Sequence, residues 1–251
     1  MSKIIVNLTI ICLSYSLVSC HIKERSPQTK ELNVGTNIPA IEKSEPLPKP
    51  VINNPPEKPI TKEIVEAVPI LMYHSIADVP NNDLMVSPST FAAQMKHLKD
   101  AGYQTITFQD LEDWERGEPI PKKPVLLTFD DGYLDNYTAA YPVLKKYNLK
   151  ATFFISINYL GDARHFSWEN IKEMYDSGLI QFGSHSLSHP DLTVISAAKR
   201  REEIVKSKKI LEEKTGGEVI AFSYPAGAYN NIVIGETAEA GYKFAVTTRP
   251  G

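Results

Sequence analysis

Cysteine is almost absent from this chain of 251 residues: Cys12 and Cys20 are the only two. Beyond position 20 there is neither a disulfide nor a thiolate metal centre to consider. An excess of positive charge is also lacking. Lysine and arginine number 27 against 30 aspartates and glutamates, a net charge of -3, so no nucleic-acid partner is expected. The run "IIVNLTIICLSYSLV" (4–18) is mostly apolar but falls short of the roughly 20 residues of a membrane-spanning helix. Residues 21–66 hold no Phe, Trp or Tyr. No Gly-x-Gly-x-x-Gly follows the first strand-like run, "PILMY" (69–73), which argues against a dinucleotide-binding sheet.

What is present divides the chain into three. Lys3 and the apolar run read as an export signal. "LVSC" (17–20) is similar to the lipobox of bacterial lipoproteins, in which the cysteine becomes the N-terminus and is lipidated. On that reading residues 1–19 are a signal peptide and Cys20 carries a lipid anchor; an ordinary signal peptide or an uncleaved anchor is the alternative. Residues 20–66 then form a tether. Positions 21–66 contain eight of the 18 prolines and balance seven basic with seven acidic side chains. Such a segment buries too little surface to offset its ordering entropy. It holds a domain, residues 67–251, off a membrane. The expected location is the outer face of the cell membrane, or the outer membrane where there are two, and the expected state is a monomer.

In the domain, apolar runs stand at 69–73, 103–108, 125–129, 151–156, 179–184, 219–224 and 243–248. They are continuous rather than alternating, as strands buried on both faces should be. Helical patterns lie between most of them. One opens at Ser87-Pro88 with Phe91, Met95 and Leu98 inward. Others cover 136–148, 167–178 and 196–217, the last with charges, including Arg200 and Arg201, assigned to a solvated face. This alternation predicts an α/β fold, a distorted (β/α)7-type barrel. In such a barrel the chemistry gathers at the C-terminal ends of the strands. There stand His74, the pair Asp130-Asp131, His185 and "SYP" (223–225).

His185 and His189, four apart in "GSHSLSHPDL", can face one ion from a helical turn or a tight loop. With one aspartate they leave open coordination positions, as catalytic metal sites do. Successive extended residues point to opposite sides, so Asp130 and Asp131 need not act alike. One can ligate a metal while the other faces its water. The two are too close to flank a sugar as a glycosidase pair does. Tyr133, Trp168 and Tyr229 are candidates for stacking on sugar rings, although core packing is the commoner use. His97 and His165 have no motif around them.

"TFDDG" (128–132), "HSLSH" (185–189) and "FSYPAG" (222–227), in that order, resemble the motifs of the polysaccharide deacetylase family with the NodB homology domain, carbohydrate esterase family 4. "YPVLKKYNLKATFFI" (141–155) is similar too, and the resemblance spans about residues 68–248. It implies a divalent metal, commonly zinc, with Co2+, Ni2+ or Fe2+ as other possibilities, held by Asp131, His185 and His189. It implies Asp130 as the base that activates a metal-bound water. It also implies oxyanion and substrate contacts at Tyr224, Pro225 and Ala226, the last through its backbone N–H.

Two departures from the family pattern stand out. The arginine that commonly sits two residues before the third motif's proline is replaced by Ser223, a feature similar to the subgroup acting on poly-β-1,6-N-acetylglucosamine. No histidine follows His189, so the late "LxxH" acid is missing: either the sequence is truncated or the acid comes from elsewhere. His74, in a "YH" segment resembling that of the same subgroup, is the expected substitute, brought in where a closed barrel joins its first and last strands. The implied partner is an N-acetylated polysaccharide: poly-β-1,6-N-acetylglucosamine first, peptidoglycan second, chitin oligomers third. An O-acetyl esterase and a non-catalytic polysaccharide-binding lipoprotein are the competing readings.

Overall fold

The computed structural model describes residues 11–12, 67–82 and 84–249. The proposed signal peptide apart from 11–12, the lipidation site Cys20 and the tether lie outside the described residues. Among the described residues eight strands form one sheet: β1 (Ile11–Cys12), β2 (Ile70–Tyr73), β3 (Gln104–Ile106), β4 (Pro124–Phe129), β5 (Ala151–Ile155), β6 (Ile180–Ser184), β7 (Ala221–Ser223) and β8 (Phe244–Val246). Their order is β1-β8-β7-β6-β5-β4-β2, with β3 also paired to β4. Every pairing is parallel except that of β1 with β8. All seven expected strands are there. Among the described residues β2 and β8 are not paired, so the sheet is a half-barrel rather than a closed ring.

Side-chain alternation along the strands builds two cores. Leu126, Phe154, Ala221 and Phe244 belong to one apolar cluster with Ile70 and Ile106. Their strand neighbours Leu127, Phe129, Phe153, Ile155 and Phe222 belong to the other. That second cluster takes in the helices α1 (Pro88–Asp100), α3 (Tyr141–Tyr147), α4 (Trp168–Asp176), α5 (Ala197–Thr215) and α6 (Asn231–Glu239), through Phe91, Leu144, Met174, Leu211 and Val233. Helix α2 (Phe108–Glu115) instead sends Phe108 and Leu111 into the first cluster. It was hidden in the sequence because Phe108 extends the apolar run 103–108. Thr107 ends that strand and starts the helix through a reciprocal cap with Asp110.

Caps fix the other helices where serine or asparagine led. Ser87, Ser167, Ser196 and Asn230 each accept a backbone N–H of the first turn of α1, α4, α5 and α6. The pattern read as one helix over 136–148 is a π turn, Asn136–Ala140, followed by α3. The solvated face assigned to α5 needs correction. Arg200 is buried and forked onto Glu236 of α6, with Nε–Oε2 at 2.6 Å and Nη2–Oε1 at 3.1 Å. Glu203 is buried as well. Arg201 remains exposed.

Candidate metal centre and active site

The rim predicted from strand ends exists. Tyr73 pairs with Phe129 at the tops of β2 and β4, and Asp130 N–H donates to Tyr73 O at 3.0 Å. His74 and Asp130 therefore leave adjacent strands side by side. Their Nε2 and Oδ2 atoms are 4.0 Å apart. The route is not the meeting of a first and last strand, since the sheet is open there; direct β2–β4 pairing brings His74 in.

Strand alternation is not what separates the two aspartates. Asp131 is not extended: its φ is +72°, and Gly132 follows at +83°. A Cβ on Gly132 would meet Ile155 Cδ1 at 3.2 Å, so glycine suits both the turn and the space. The left-handed step separates the roles by turning the chain. Asp131 Oδ1 lies 3.6 Å from His185 Nε2 and 3.6 Å from His189 Nε2. These three ligand atoms all fall within 4.8 Å of one another.

That set fits a divalent metal. Ligands about 2.1 Å from a tetrahedral ion stand about 3.4 Å apart, close to the two Asp–His separations. His185 Nδ1 is 2.8 Å from Ser223 O. A donor there leaves Nε2 bare to ligate, the usual outer support of a metal-bound imidazole. Burial, then His189, pushes the His185 pKa down to about 4, so the ring is neutral at pH 7, as a ligand must be. Asp130 Oδ1 is buried without a hydrogen-bond partner among the described residues. Burial and the neighbouring Asp131 carboxylate push Asp130 well above the ordinary carboxylate range. A nearby cation would relieve that cost.

His185 and His189 sit in a loop, not a helical turn, and the loop is braced from below. Ser186 and His189 adopt φ of +66° and +57°. Ser186 Oγ accepts His189 N–H at 3.0 Å. The buried Glu203 carboxylate accepts Leu187 N–H at 2.9 Å, Ser188 N–H at 2.8 Å and Ser188 Oγ–H at 2.6 Å. Burial alone would raise its pKa, but these bonds and Lys199 outweigh it and hold Glu203 below the usual range. Glu203 was missed because it sits inside the charged stretch "KRREEIVKSKK" of α5. Its signal was its i, i+4, i+8 spacing with Ser207 and Leu211 on the buried face.

The third motif closes the opposite side. Ser223 Oγ stands 3.4 Å from Asp130 Oδ2, a long contact in the place where an arginine would act. Tyr224 is buried, its N–H bonded to Val246 O. Pro225–Gly227 is a short turn whose Ala226 is exposed at φ +52°. Of the aromatic candidates, Tyr229 stacks on Tyr224 at 5.4 Å. Lys214 lies over the Trp168 ring at 5.5 Å, and Tyr133 stacks on His165 at 5.1 Å. His165, unassigned by sequence, is buried beside Asp162 Oδ1 at 2.8 Å. His97 is exposed on α1.

This geometry has relatives. The polysaccharide deacetylase family model matches residues 117–245. YxkH of Bacillus subtilis (strain 168), named for the same family, is 38% identical over 88% of this chain and 80% of its own length. The poly-β-1,6-N-acetyl-D-glucosamine N-deacetylase of Staphylococcus aureus (strain MRSA252) is 28% identical over 70% of this chain and 64% of its own. Among solved structures, the Streptococcus pyogenes deacetylase PplD in complex with acetate superposes with a TM-score of 0.66. It is 35% identical and covers 70% of this chain and 81% of its own. Motifs, half-barrel and matched relatives agree that the chain belongs to the polysaccharide deacetylase family and is a deacetylase of the hydrolase class.

Proposed function

We propose that the chain removes N-acetyl groups from N-acetylglucosamine units of a surface polysaccharide, poly-β-1,6-N-acetylglucosamine before peptidoglycan, in one hydrolytic step. The observation that carries this is His74 and Asp130 standing side by side next to a cluster of three potential ligands. His74 Nε2 lies 4.0 Å from Asp130 Oδ2, next to Asp131, His185 and His189. Asp131, His185 and His189 would hold a divalent cation, zinc first, which would lower the pKa of water and polarise the acetyl carbonyl.

The chain's own groups do the rest. Asp130 accepts a proton from the attacking water. The Ala226 N–H, on the turn beside Pro225, donates to the developing oxyanion. His74 delivers a proton to the leaving amine nitrogen, so that acetate and a free amine result. Ser223 contributes only one long hydrogen bond from an uncharged donor to Asp130, at 3.4 Å, where an arginine would hold its charge more strongly. The preference for the β-1,6-linked polymer draws on the activity for which the staphylococcal relative is named and on His74 standing in for a late histidine.

In the same reading, residues 1–19 direct export, Cys20 carries a lipid and residues 21–66 give the domain reach from the outer face of the cell membrane, or from the outer membrane where there are two. Acetate release from β-1,6-linked N-acetylglucosamine oligomers, peptidoglycan fragments and acetylated xylan, measured side by side, tests the substrate. Release from the first is expected to be fastest. Release confined to xylan would make the protein an O-acetyl esterase, and no release from any would favour a binding role.

A further inference from the structure

We propose that Asp135 is the positioning residue for His74. The inference rests on the reading of His74 as proton donor. Among the described residues, no hydrogen bond reaches the His74 ring, so the backbone on either side sets its place. On one side, Tyr73 O accepts Asp130 N–H at 3.0 Å. On the other, the Asp135 carboxylate takes two bonds from the residues immediately after His74. Oδ2 accepts the Ser75 hydroxyl at 2.6 Å, and Oδ1 accepts Ile76 N–H at 2.9 Å. Both donors belong to buried residues, and bonds to a carboxylate are the stronger kind. The remaining backbone ties of Ser75 run to the 84–86 loop, at 3.3 and 3.1 Å.

The segment Asp130–Asp135 thus holds the base, a metal ligand and both anchors of the acid. The spacing of His74 from Asp130 is set within one short segment rather than across the barrel. Without the Asp135 carboxylate, the Ile76 N–H loses its acceptor and Ser75 its partner. The segment after β2 is then free to shift, and a displacement near 1 Å at a reacting group costs roughly 10²-fold in rate.

The test is a double-mutant cycle in the zinc-loaded full chain: wild type, Asp135→Ala, His74→Ala and the double variant. The readouts are kcat for acetate release from a β-1,6-linked N-acetylglucosamine oligomer, and zinc stoichiometry. Asp135→Ala is expected to slow turnover by roughly 30- to 100-fold with zinc content unchanged. In the His74→Ala background it should add less than about threefold. Ser75→Ala removes one of the two bonds and should show the same dependence on His74 with a smaller loss; it carries the test if Asp135→Ala does not fold. An Asp135→Ala loss of equal size in both backgrounds, or a loss of zinc, overturns the proposal. If His74→Ala keeps full turnover, the donor reading has failed, and Asp135 loses its role for that separate reason.

Discussion

The two ends of the half-barrel share their strands but treat charge in opposite ways. Where the strands begin, acids and bases are matched. Lys150, just before β5, pairs with Asp110 at 2.7 Å, and Lys243, just before β8, pairs with Glu112 at 2.6 Å. Asp110 also accepts Thr107 N–H at 2.7 Å. Where the strands finish, Asp130 and Asp131 stand together, and the basic side chains within 4.0 Å of them are three histidines, His74, His185 and His189. Backbone strain divides the same way. Of six described non-glycine residues with positive φ, Asp131, Ser186, His189 and Ala226 stand at the finishing end. Such strain persists only where the surroundings over-determine it, and it gathers at functional sites. One end pairs its charges; the other gathers carboxylates and imidazoles around one point.

That contrast breaks first at Asp130. Asp130→Asn should lower acetate release about 10³-fold, because the proposed base is lost. The metal-free variant should nevertheless be more stable than wild type at pH 7. The sign follows from the raised pKa: a carboxyl pushed up by burial and by Asp131 costs stability above its unfolded pKa. The gap between variant and wild type therefore closes as pH falls and Asp130 takes up its proton. Urea unfolding of chelator-treated protein at several pH values reads this.

Glu203→Gln comes next. It removes a carboxylate serving three donors under the His185–His189 loop. A 10- to 100-fold loss of zinc affinity is expected, roughly the effect of an outer-shell partner. Stability should fall by about 2 kcal/mol. At the other end the effects shrink. Lys150→Met breaks a partly exposed pair, so unfolding free energy should move by less than about 1 kcal/mol and turnover should stay near wild type. Smallest is Ala226→Gly, expected to raise stability by about 0.5 kcal/mol by relieving a left-handed backbone. Thermal unfolding checks it.

The sequence revealed the rim better than its supports. Strand runs and motifs located His74, Asp130, Asp131, His185 and His189, because rim residues follow strand ends directly in the chain. Glu203 and Arg200 were lost among the charges of α5, since a helix turns some of its polar residues inward and composition does not say which. Asp135 was invisible for another reason: its partners, Ser75 and Ile76, lie 60 and 59 residues away. Helix α2 was absorbed into a strand because Phe108 serves the barrel interior from a helix. The expectation that His74 arrives by barrel closure missed the open seam between β2 and β8.

The central claim is that the Asp131–His185–His189 cluster runs a metal-dependent deacetylation. Acetate released from a β-1,6-linked N-acetylglucosamine oligomer, by full chain treated with chelator and then reloaded with zinc, tests it most directly. Release should vanish on chelation and return with zinc. Equal release with and without metal, or none from the zinc-loaded protein, would contradict it.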